Sequence, residues 1–203
     1  MNIEIDLTKF YLTNIIDTCS VWNVLASSTL YIAAIELKCD FSFTQFVEYE
    51  CIHKPRKQSL HIDFLLIEKL QNEIDKGKFK RFNITIDDLQ EIELLANNKN
   101  LGKGELSSIA FAKKTNQAFF TDDKAARKLG KKILGNNMVQ TTPHLVGHLF
   151  FNRILLDGDL STIISEHSSL ANSKWGSLEE FFKTVYSESM RLRFLQINLS
   201  SNK

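Results

Sequence analysis

Four carboxylates stand where a predicted strand ends or a predicted helix begins. They are Asp17, Glu50, Glu105 and Asp123, and Asp122 lies beside the last of them. Glu105 faces the apolar side of its predicted helix, and a buried charge without a partner costs several kcal/mol. A divalent cation is one such partner, since hard cations take carboxylate oxygens as ligands. Any one of these acids alone is more often a helix cap or a turn former than a ligand.

The second half of the chain predicts a helix, a buried strand and another helix in succession. Apolar residues recur at helical spacing over residues 105–114, and Ala118–Phe120 is a short apolar run typical of a buried parallel strand. The acid pair at 122–123 follows that strand, before a second helical pattern over 124–132. Ligands bind at the carboxyl ends of strands in open α/β sheets, so this pair occupies a position suited to binding.

The first half of the chain predicts two more strands. Residues 14–17 form a short apolar run that ends on Asp17, and a helical pattern follows in two pieces that meet near residues 27–28. Residues 41–43 predict the second strand. A strand followed by a crossover helix is the unit from which parallel sheets are built, so we expect an α/β fold.

Glu50, and not Glu48, is predicted to face the core. Thr44 can cap the helix that follows the second strand, and Phe46, Val47 and Glu50 share one face of that helix. Glu48 lies about 200° around the helix from Glu50 at ~100° per residue. The apolar face therefore carries one acid.

The remaining pattern is mostly helical. We expect helices over 59–76, 88–97, 143–156, 160–171 and 177–195, a basic turn over 76–81, and extended segments over 82–86 and 138–141. This pattern divides the chain into an N-terminal extension over 1–12, a central domain over 13–142 and a C-terminal helical extension over 143–203, packed on the same domain.

Composition bounds the class of protein more than its partners. The 203 residues include 25 Lys and Arg against 24 Asp and Glu, so a basic excess of the kind that nucleic-acid binders often carry is missing. Three cysteines without CxxC spacing are typical of free thiols in a reducing compartment. No run approaches the ~20 apolar residues of a membrane span. We therefore expect a cytoplasmic protein with no membrane partner.

Three stretches combine an acid with hydroxyl, amide or glycine neighbours in a recurring order. They are Asp17 with Thr18, Ser20 and Asn23; Thr44, Val47 and Glu50; and the Gly104-Glu105 helix start, followed by an apolar strand and by Thr121-Asp122-Asp123 with Ala126 and Arg127. Together they resemble the motifs of the PIN-domain family of metal-dependent nucleases. The resemblance covers about residues 13–160 and is strongest at its two ends.

This resemblance implies a three-layer αβα sandwich with a central parallel sheet, followed by C-terminal helices, and a site for Mg²⁺ or Mn²⁺. The acids that would hold the cation are Asp17, Glu50, Glu105 and Asp123, while Asp122 would either ligate it or cap the next helix. Ser20, Asn23 and Thr121 would support these acids. A water activated there would attack an RNA phosphodiester in line.

The resemblance also implies partners. It points to an endoribonuclease that acts as the toxin of a bacterial toxin-antitoxin or phage-defence system, with an antitoxin protein covering the site and a possible homodimer. Two alternatives stay open. One is a PIN-like interaction scaffold that does not cut, although the complete set of acids favours catalysis. The other is a DNA-directed nuclease, because metal catalysis does not itself read the 2′-hydroxyl.

Four cations follow the predicted acids and could hold phosphates of a nucleic acid. Lys54, Arg56 and Lys57 come after Glu50, and Arg127 comes after the acid pair. For each of them a solvated surface position is the alternative.

His144 and His148 are spaced i, i+4 and invite a zinc interpretation. No glutamate lies between them, where a zinc protease would place its base. We therefore expect two histidines whose hydrogen bonds are satisfied within the fold.

Overall fold

The computed structural model describes residues 6–54, 61–95, 101–171 and 178–201. Five strands lie in these ranges: β1 (Thr13–Ile16), β2 (Asp40–Thr44), β3 (Phe79–Phe82), β4 (Ala118–Phe120) and β5 (Val139–Gln140). They form one sheet in the order β3-β2-β1-β4-β5, and every pairing in it is parallel.

Helices connect and follow the strands. They are α1 (Thr18–Ala26), α2 (Ser28–Glu36), α3 (Gln45–Glu48), α4 (His61–Asp75), α5 (Ile86–Leu95), α6 (Lys103–Thr115), α7 (Lys124–Leu134), α8 (Thr142–Phe151), α9 (Asp159–Ala171) and α10 (Glu179–Ser201). A π-helical turn over Tyr49–His53 continues α3, and a 3₁₀ turn over Asn136–Met138 precedes β5. The predicted α/β class is confirmed: a central parallel sheet flanked by helices, the arrangement of a three-layer αβα sandwich.

The sheet is apolar on both faces, as parallel sheets between helices are. On one face Ile15, Phe119 and Val139 pack in a cluster with residues of α6 and α7. On the other face Phe41 stacks on Phe79, with ring centroids 5.6 Å apart, and meets Phe120 edge to face. This alternation fixes the register and holds the carboxyl ends of the strands in place.

The third strand lies earlier in the chain than the sequence predicts. The extended segment was expected over 82–86 after a basic turn over 76–81, whereas β3 begins at Phe79. Its two charged residues lie at the edge of the sheet and pair across to acids, Lys80 with Asp40 and Arg81 with Glu48. An edge strand accepts charged side chains. The basic residues of β3 therefore resemble those of a turn in the sequence.

The chain divides into two compact units. The first, here called the sheet unit, comprises Tyr11–Leu25 and Cys39–Thr141. The second, the helical unit, comprises the described parts of Met1–Phe10, Ala26–Lys38 and Thr142–Lys203. The predicted division into 1–12, 13–142 and 143–203 stays a prediction.

Within the helical unit, α8 packs against α10, and the chain before β1 is fastened to α8. His144 Nε2 lies 2.8 Å from the carbonyl oxygen of Lys9, and His148 Nδ1 lies 2.8 Å from that of Leu7. Asn152 Nδ2 contacts the other nitrogen of His148 at 3.1 Å. Both histidines therefore have their hydrogen bonds satisfied within the fold, as the sequence predicts.

In the described ranges, no helix by itself has the length and apolar composition needed to cross a bilayer. Among the described helices, α1 and α2 together reach that length and composition, as a pair bent at the break between them.

Candidate functional site

The carboxyl ends of β1 and β4 lie side by side at the point where the strand order reverses. The chain runs from β1 outward to β2 and β3, and it returns to the other side of β1 with β4. Asp17 follows β1, and its backbone N–H donates to the Phe120 carbonyl at the end of β4. Such a switch point leaves a crevice in which α/β proteins bind ligands.

Asp17 is fully buried at this point. Its Oδ1 accepts from the backbone N–H of Ser20 at 2.9 Å, which caps the first turn of α1, and its Oδ2 accepts from the hydroxyl of Thr121. Burial raises the pKa of Asp17 to about 7 against the effect of these hydrogen bonds, and the nearby charge of Asp122 adds to the rise. The structure thus holds a carboxylate in a place that disfavours its charge.

Asp122 lies next to Asp17 and shares its neighbours. Its Oδ2 accepts from Asn23 Nδ2 at 2.8 Å and from the hydroxyl of Ser20 at 3.2 Å. The resemblance assigns Ser20 and Asn23 to the support of Asp17. In the structure Ser20 bonds to both acids, while the amide of Asn23 donates to Asp122.

Asp123 caps the helix that follows. Its Oδ1 accepts from the backbone N–H of Ala126 at 2.7 Å, in the first turn of α7. Of the two roles expected for Asp122, the capping role therefore falls to Asp123. Its own backbone N–H donates to the Thr121 hydroxyl at 3.2 Å, so Thr121 connects Asp123 with Asp17.

Glu50 and Glu105 face each other across two glycines. An ideal Cβ on Gly102 would lie 2.7 Å from Oε2 of Glu105 and 3.6 Å from Oε1 of Glu50. A Cβ on Gly104 would overlap Oε2 of Glu50. The two missing side chains leave the space that both carboxylates occupy. Thr18 donates to Oε2 of Glu50 at 2.6 Å and connects this pair to the Asp17 neighbourhood.

Glu105 lies half-buried in the first turn of α6. Its Oε2 is buried and has no hydrogen-bond partner. Burial raises the pKa of Glu105, and the charges of Glu50 and Asp123 raise it further, while backbone N–H groups at the start of α6 oppose them. A buried acceptor without a donor is uncommon in proteins and indicates a missing cationic or proton-donating neighbour.

Of the two glutamates Glu48 and Glu50, Glu50 adjoins Glu105 across the glycines; both are half-buried, so the prediction that Glu50 alone faces the core stays a prediction. Glu48 points to β3, where Arg81 pairs with it at 3.2 Å. The backbone departs from the predicted α-helix here, because Glu50 lies in the π-helical turn. Such turns interrupt α-helices mostly as single bulges and are frequent at functional sites.

The predicted cations are described only in part. Lys54 lines a pocket of about 600 Å³ together with Glu50. Arg127 is half-buried in the first turn of α7. Arg56 and Lys57 lie outside the described residues.

Some features of the site carry no clear signal in the sequence. The hydroxyl of Thr18 bonds to Glu50, and Cys19 Sγ lies 3.2 Å from Oδ1 of Asp17. The glycine pair around Lys103 was the available signal, because two glycines beside an acid at a helix start indicate close approach of a bulky neighbour. The π-helical turn leaves no mark in composition.

The acids come together in neighbouring pairs, and the described residues hold no group of three His, Cys, Asp or Glu side chains placed to hold one metal ion jointly. Mg²⁺ is usually held by one or two carboxylates and completes its shell with waters and substrate phosphates. The unpartnered Oε2 of Glu105 and the glycine-lined space beside Glu50 suit such a cation. The donor set therefore fits a divalent cation with few protein ligands.

Comparison with known proteins adds no relative. The sequence matches no protein-family model, no curated protein and no solved structure. The resemblance to PIN domains consequently rests on the motifs in the chain itself.

Proposed function

We propose that this chain is a metal-dependent endoribonuclease that hydrolyses RNA phosphodiester bonds. One observation carries the proposal: Glu105 is half-buried near Glu50 and Asp123, and its buried Oε2 has no hydrogen-bond partner. A scaffold has no physical need to crowd these anions, whereas a site for a divalent cation requires them. The cation would be Mg²⁺ or Mn²⁺.

Each residue has a role in this proposal. Glu50 and Glu105 would hold the cation directly, while Asp17, Asp122 and Asp123, in the neighbouring acidic group, would bind it through its waters. A divalent cation bound there supplies positive charge to the phosphoryl oxygens and activates a water for attack. Thr121 and Ser20 fix the orientation of Asp17 through the hydrogen bonds they donate, and Thr18 does the same for Glu50.

The biological setting is part of the same proposal. A bacterial toxin whose RNA cleavage is inhibited by an antitoxin protein fits an enzyme of this kind, in the cytoplasm and as a homodimer. It rests on the resemblance of the motifs alone. A DNA substrate is the alternative that the cleavage assay separates.

The test compares two glutamates that lie two residues apart, Glu48 and Glu50. Purified protein, Glu50→Gln and Glu48→Gln are incubated with labelled single-stranded RNA and DNA in EDTA, Mg²⁺ or Mn²⁺. We expect wild type and Glu48→Gln to cut RNA only with metal. The cleavage rate of Glu50→Gln should be lower than that of wild type by roughly 100-fold or more. The two variants remove the same charge, so a shared loss would point to folding and not to the site.

Two results would contradict the proposal. One is the absence of metal-dependent cleavage of either polymer by folded wild-type protein, which would favour a non-catalytic interaction module. The other is equal activity of Glu50→Gln and wild type. Cleavage of DNA in preference to RNA would keep the metal site and change the substrate.

A further inference from the structure

A pocket beside Glu50 has features that the cleavage chemistry does not use. It has a volume of about 600 Å³, within the range of small-molecule sites in proteins. Its lining residues are Gln45, Phe46, Tyr49, Glu50, Lys54, Gly102 and Lys103. All of them belong to the sheet unit.

The pocket combines two aromatic rings with two cations. Phe46 and Tyr49 are three residues apart and point into the same space. Tyr49 is 52% exposed, and its ring centroid lies 6.4 Å from that of His53, so about half of its surface is open to a ligand. Lys103 Nζ lies 5.8 Å from the centre of the Phe46 ring, and Lys54 closes the pocket from the end of the π-helical turn.

The π-helical turn explains why these groups converge. The backbone N–H of Lys54 donates to the carbonyl of Tyr49 at 2.7 Å, five residues earlier. This turn contains Tyr49 and Glu50 and ends at Lys54, and all three residues line the pocket. One irregular turn therefore serves both the acidic group and the pocket.

We propose that this pocket binds one unpaired nucleobase of a single-stranded nucleic acid, with its phosphates held by Lys54 and Lys103. The inference rests on the proposed nuclease function, because Glu50 lies in both places and sets the pocket next to the reacting phosphate. Exposed aromatic rings beside cations are how proteins bind single strands without reading sequence. A paired base is covered on both faces within its duplex and cannot enter.

Charge favours this occupant over an apolar one. The pocket holds two ammonium groups and one carboxylate that the proposed function assigns to a metal cation. Even without a metal the two ammonium groups outnumber the one carboxylate in this lining, so the pocket attracts a phosphate chain while its rings contact the base. An apolar peptide segment would bury both lysines without partners, at considerable cost.

The experiment separates stacking from phosphate binding. Fluorescence anisotropy measures binding of three probes in EDTA: an eight-nucleotide single-stranded RNA, the same strand with abasic positions, and its duplex. We expect wild type to bind the intact strand at least about fivefold more tightly than the abasic strand. Tyr49→Ala should abolish that difference, whereas Tyr49→Phe should keep it.

Two controls make the result specific. Phe64→Ala removes another exposed aromatic ring of the sheet unit, 59% exposed on α4, and should leave the preference unchanged. Lys54→Ala should weaken binding of the intact and abasic strands by the same factor, since both retain their phosphates.

The outcomes distinguish this subsite from the proposed function. Equal affinity of wild type for intact and abasic strands, or an unchanged preference in Tyr49→Ala, would overturn the subsite even if metal-dependent cleavage were found. A preference for intact strands that depends on Tyr49, without cleavage under any metal condition, would support the subsite and overturn the nuclease. Tighter binding of the duplex than of the single strand would also overturn the subsite.

Discussion

Asp17 illustrates how one residue can be held in a state that its environment disfavours. It accepts hydrogen bonds from Ser20 and Thr121, yet burial still raises its pKa to about 7. Asp122 adds a second negative charge nearby. In the absence of a cation, ionised Asp17 therefore lowers the free energy of unfolding.

This predicts the sign of a pH dependence. Between about pH 4 and pH 7 the native protein keeps a proton on Asp17 that the unfolded chain has released, so the contribution of this residue to the free energy of unfolding falls as pH rises. In EDTA at pH 7.5, the free energy of unfolding of Asp17→Asn should exceed that of wild type by up to about 4 kcal/mol. The difference should shrink toward zero near pH 4. Chemical unfolding between pH 4 and 8 measures it.

The matched control is Asp40→Asn, which removes an exposed carboxylate paired with Lys80. It should follow the wild-type profile within about 0.5 kcal/mol. Parallel profiles for wild type and Asp17→Asn would contradict the buried, proton-holding state of Asp17.

At the scale of elements, the start of α6 and the π-helical turn pack closely because Gly104 has no side chain. Gly104 leaves the space that the carboxylate of Glu50 fills. A glycine near the start of a helix weakens it by roughly 0.5–1 kcal/mol relative to alanine. The missing side chain at Gly104 nevertheless allows the carboxylates of Glu50 and Glu105 to approach each other closely.

Gly104→Ala should therefore separate activity from stability. The new methyl group forces Glu50 away from Thr18, so metal-dependent cleavage should fall about tenfold or more. The displaced atoms belong to a flexible side chain, so the free energy of unfolding should change by no more than about 1 kcal/mol. Activity assays and thermal unfolding of the same preparation measure both.

Gly158→Ala is the control for this substitution, because a Cβ there meets no atom within 4 Å. It should leave cleavage unchanged. If Gly104→Ala cuts RNA as well as Gly158→Ala does, the position of Glu50 is not important for the reaction.

The segment before β1 is joined to α8 by histidines that must stay neutral. Burial lowers the pKa of His144 to about 4, against the hydrogen bonds to the carbonyls of Lys9 and Asp6. Between about pH 6.5 and pH 4 the unfolded chain binds a proton that the native protein does not, so the contribution of His144 to the free energy of unfolding falls as pH falls. This sign is opposite to that of Asp17.

His144→Gln should therefore flatten the acid side of the stability profile. From pH 6.5 to pH 4.5 the free energy of unfolding should fall more for wild type than for the variant. At pH 7 the variant should have a free energy of unfolding about 1–3 kcal/mol lower than wild type, because it lacks the hydrogen bond of His144. His61→Gln, an exposed position on α4, should behave as wild type. A variant that loses stability in acid as steeply as wild type would contradict this account.

Local patterns predicted most elements because their residues agree with their neighbours. Ala118–Phe120 is apolar and flanked by polar residues, and β4 has these bounds; Thr44 caps α3 as expected. β3 was misplaced because pairing with Asp40 and Glu48, which are distant in sequence, stabilises its charged residues. Contacts of this kind are invisible to periodicity.

The site shows the same limit. The acids themselves could be selected from strand ends, but their partners depend on the order β3-β2-β1-β4-β5, which sets β1 beside β4. The choice between Asp122 and Asp123 as helix cap depends on where α7 begins, at Lys124, which composition does not determine. The π-helical turn at Glu50, whose carboxylate lies against Gly104, likewise has no sequence pattern that would predict it.

The molecule as a whole carries almost no net charge, with 25 basic and 24 acidic residues. Long-range attraction of a polyanion is therefore weak, and binding must depend on a few local cations. Lys54 and Lys103 are the cations that line the pocket beside Glu50. A shallow dependence of binding on salt follows, because each phosphate contact with a single strand contributes a slope of about −0.7 in log K against log salt.

Anisotropy between about 50 and 300 mM salt measures this slope for single-stranded RNA, and we expect a value between about −1 and −3. Such a slope corresponds to roughly two to four phosphate contacts. Lys54→Ala should make the slope shallower by about 0.7. Lys80→Ala removes an equal charge from β3, where Asp40 already neutralises it, so its slope should equal that of wild type. Equal effects of the two substitutions would mean that net charge alone governs binding. A slope steeper than about −5 would require a cationic surface much larger than the pocket, and the strand would then be held along its length instead of at one base.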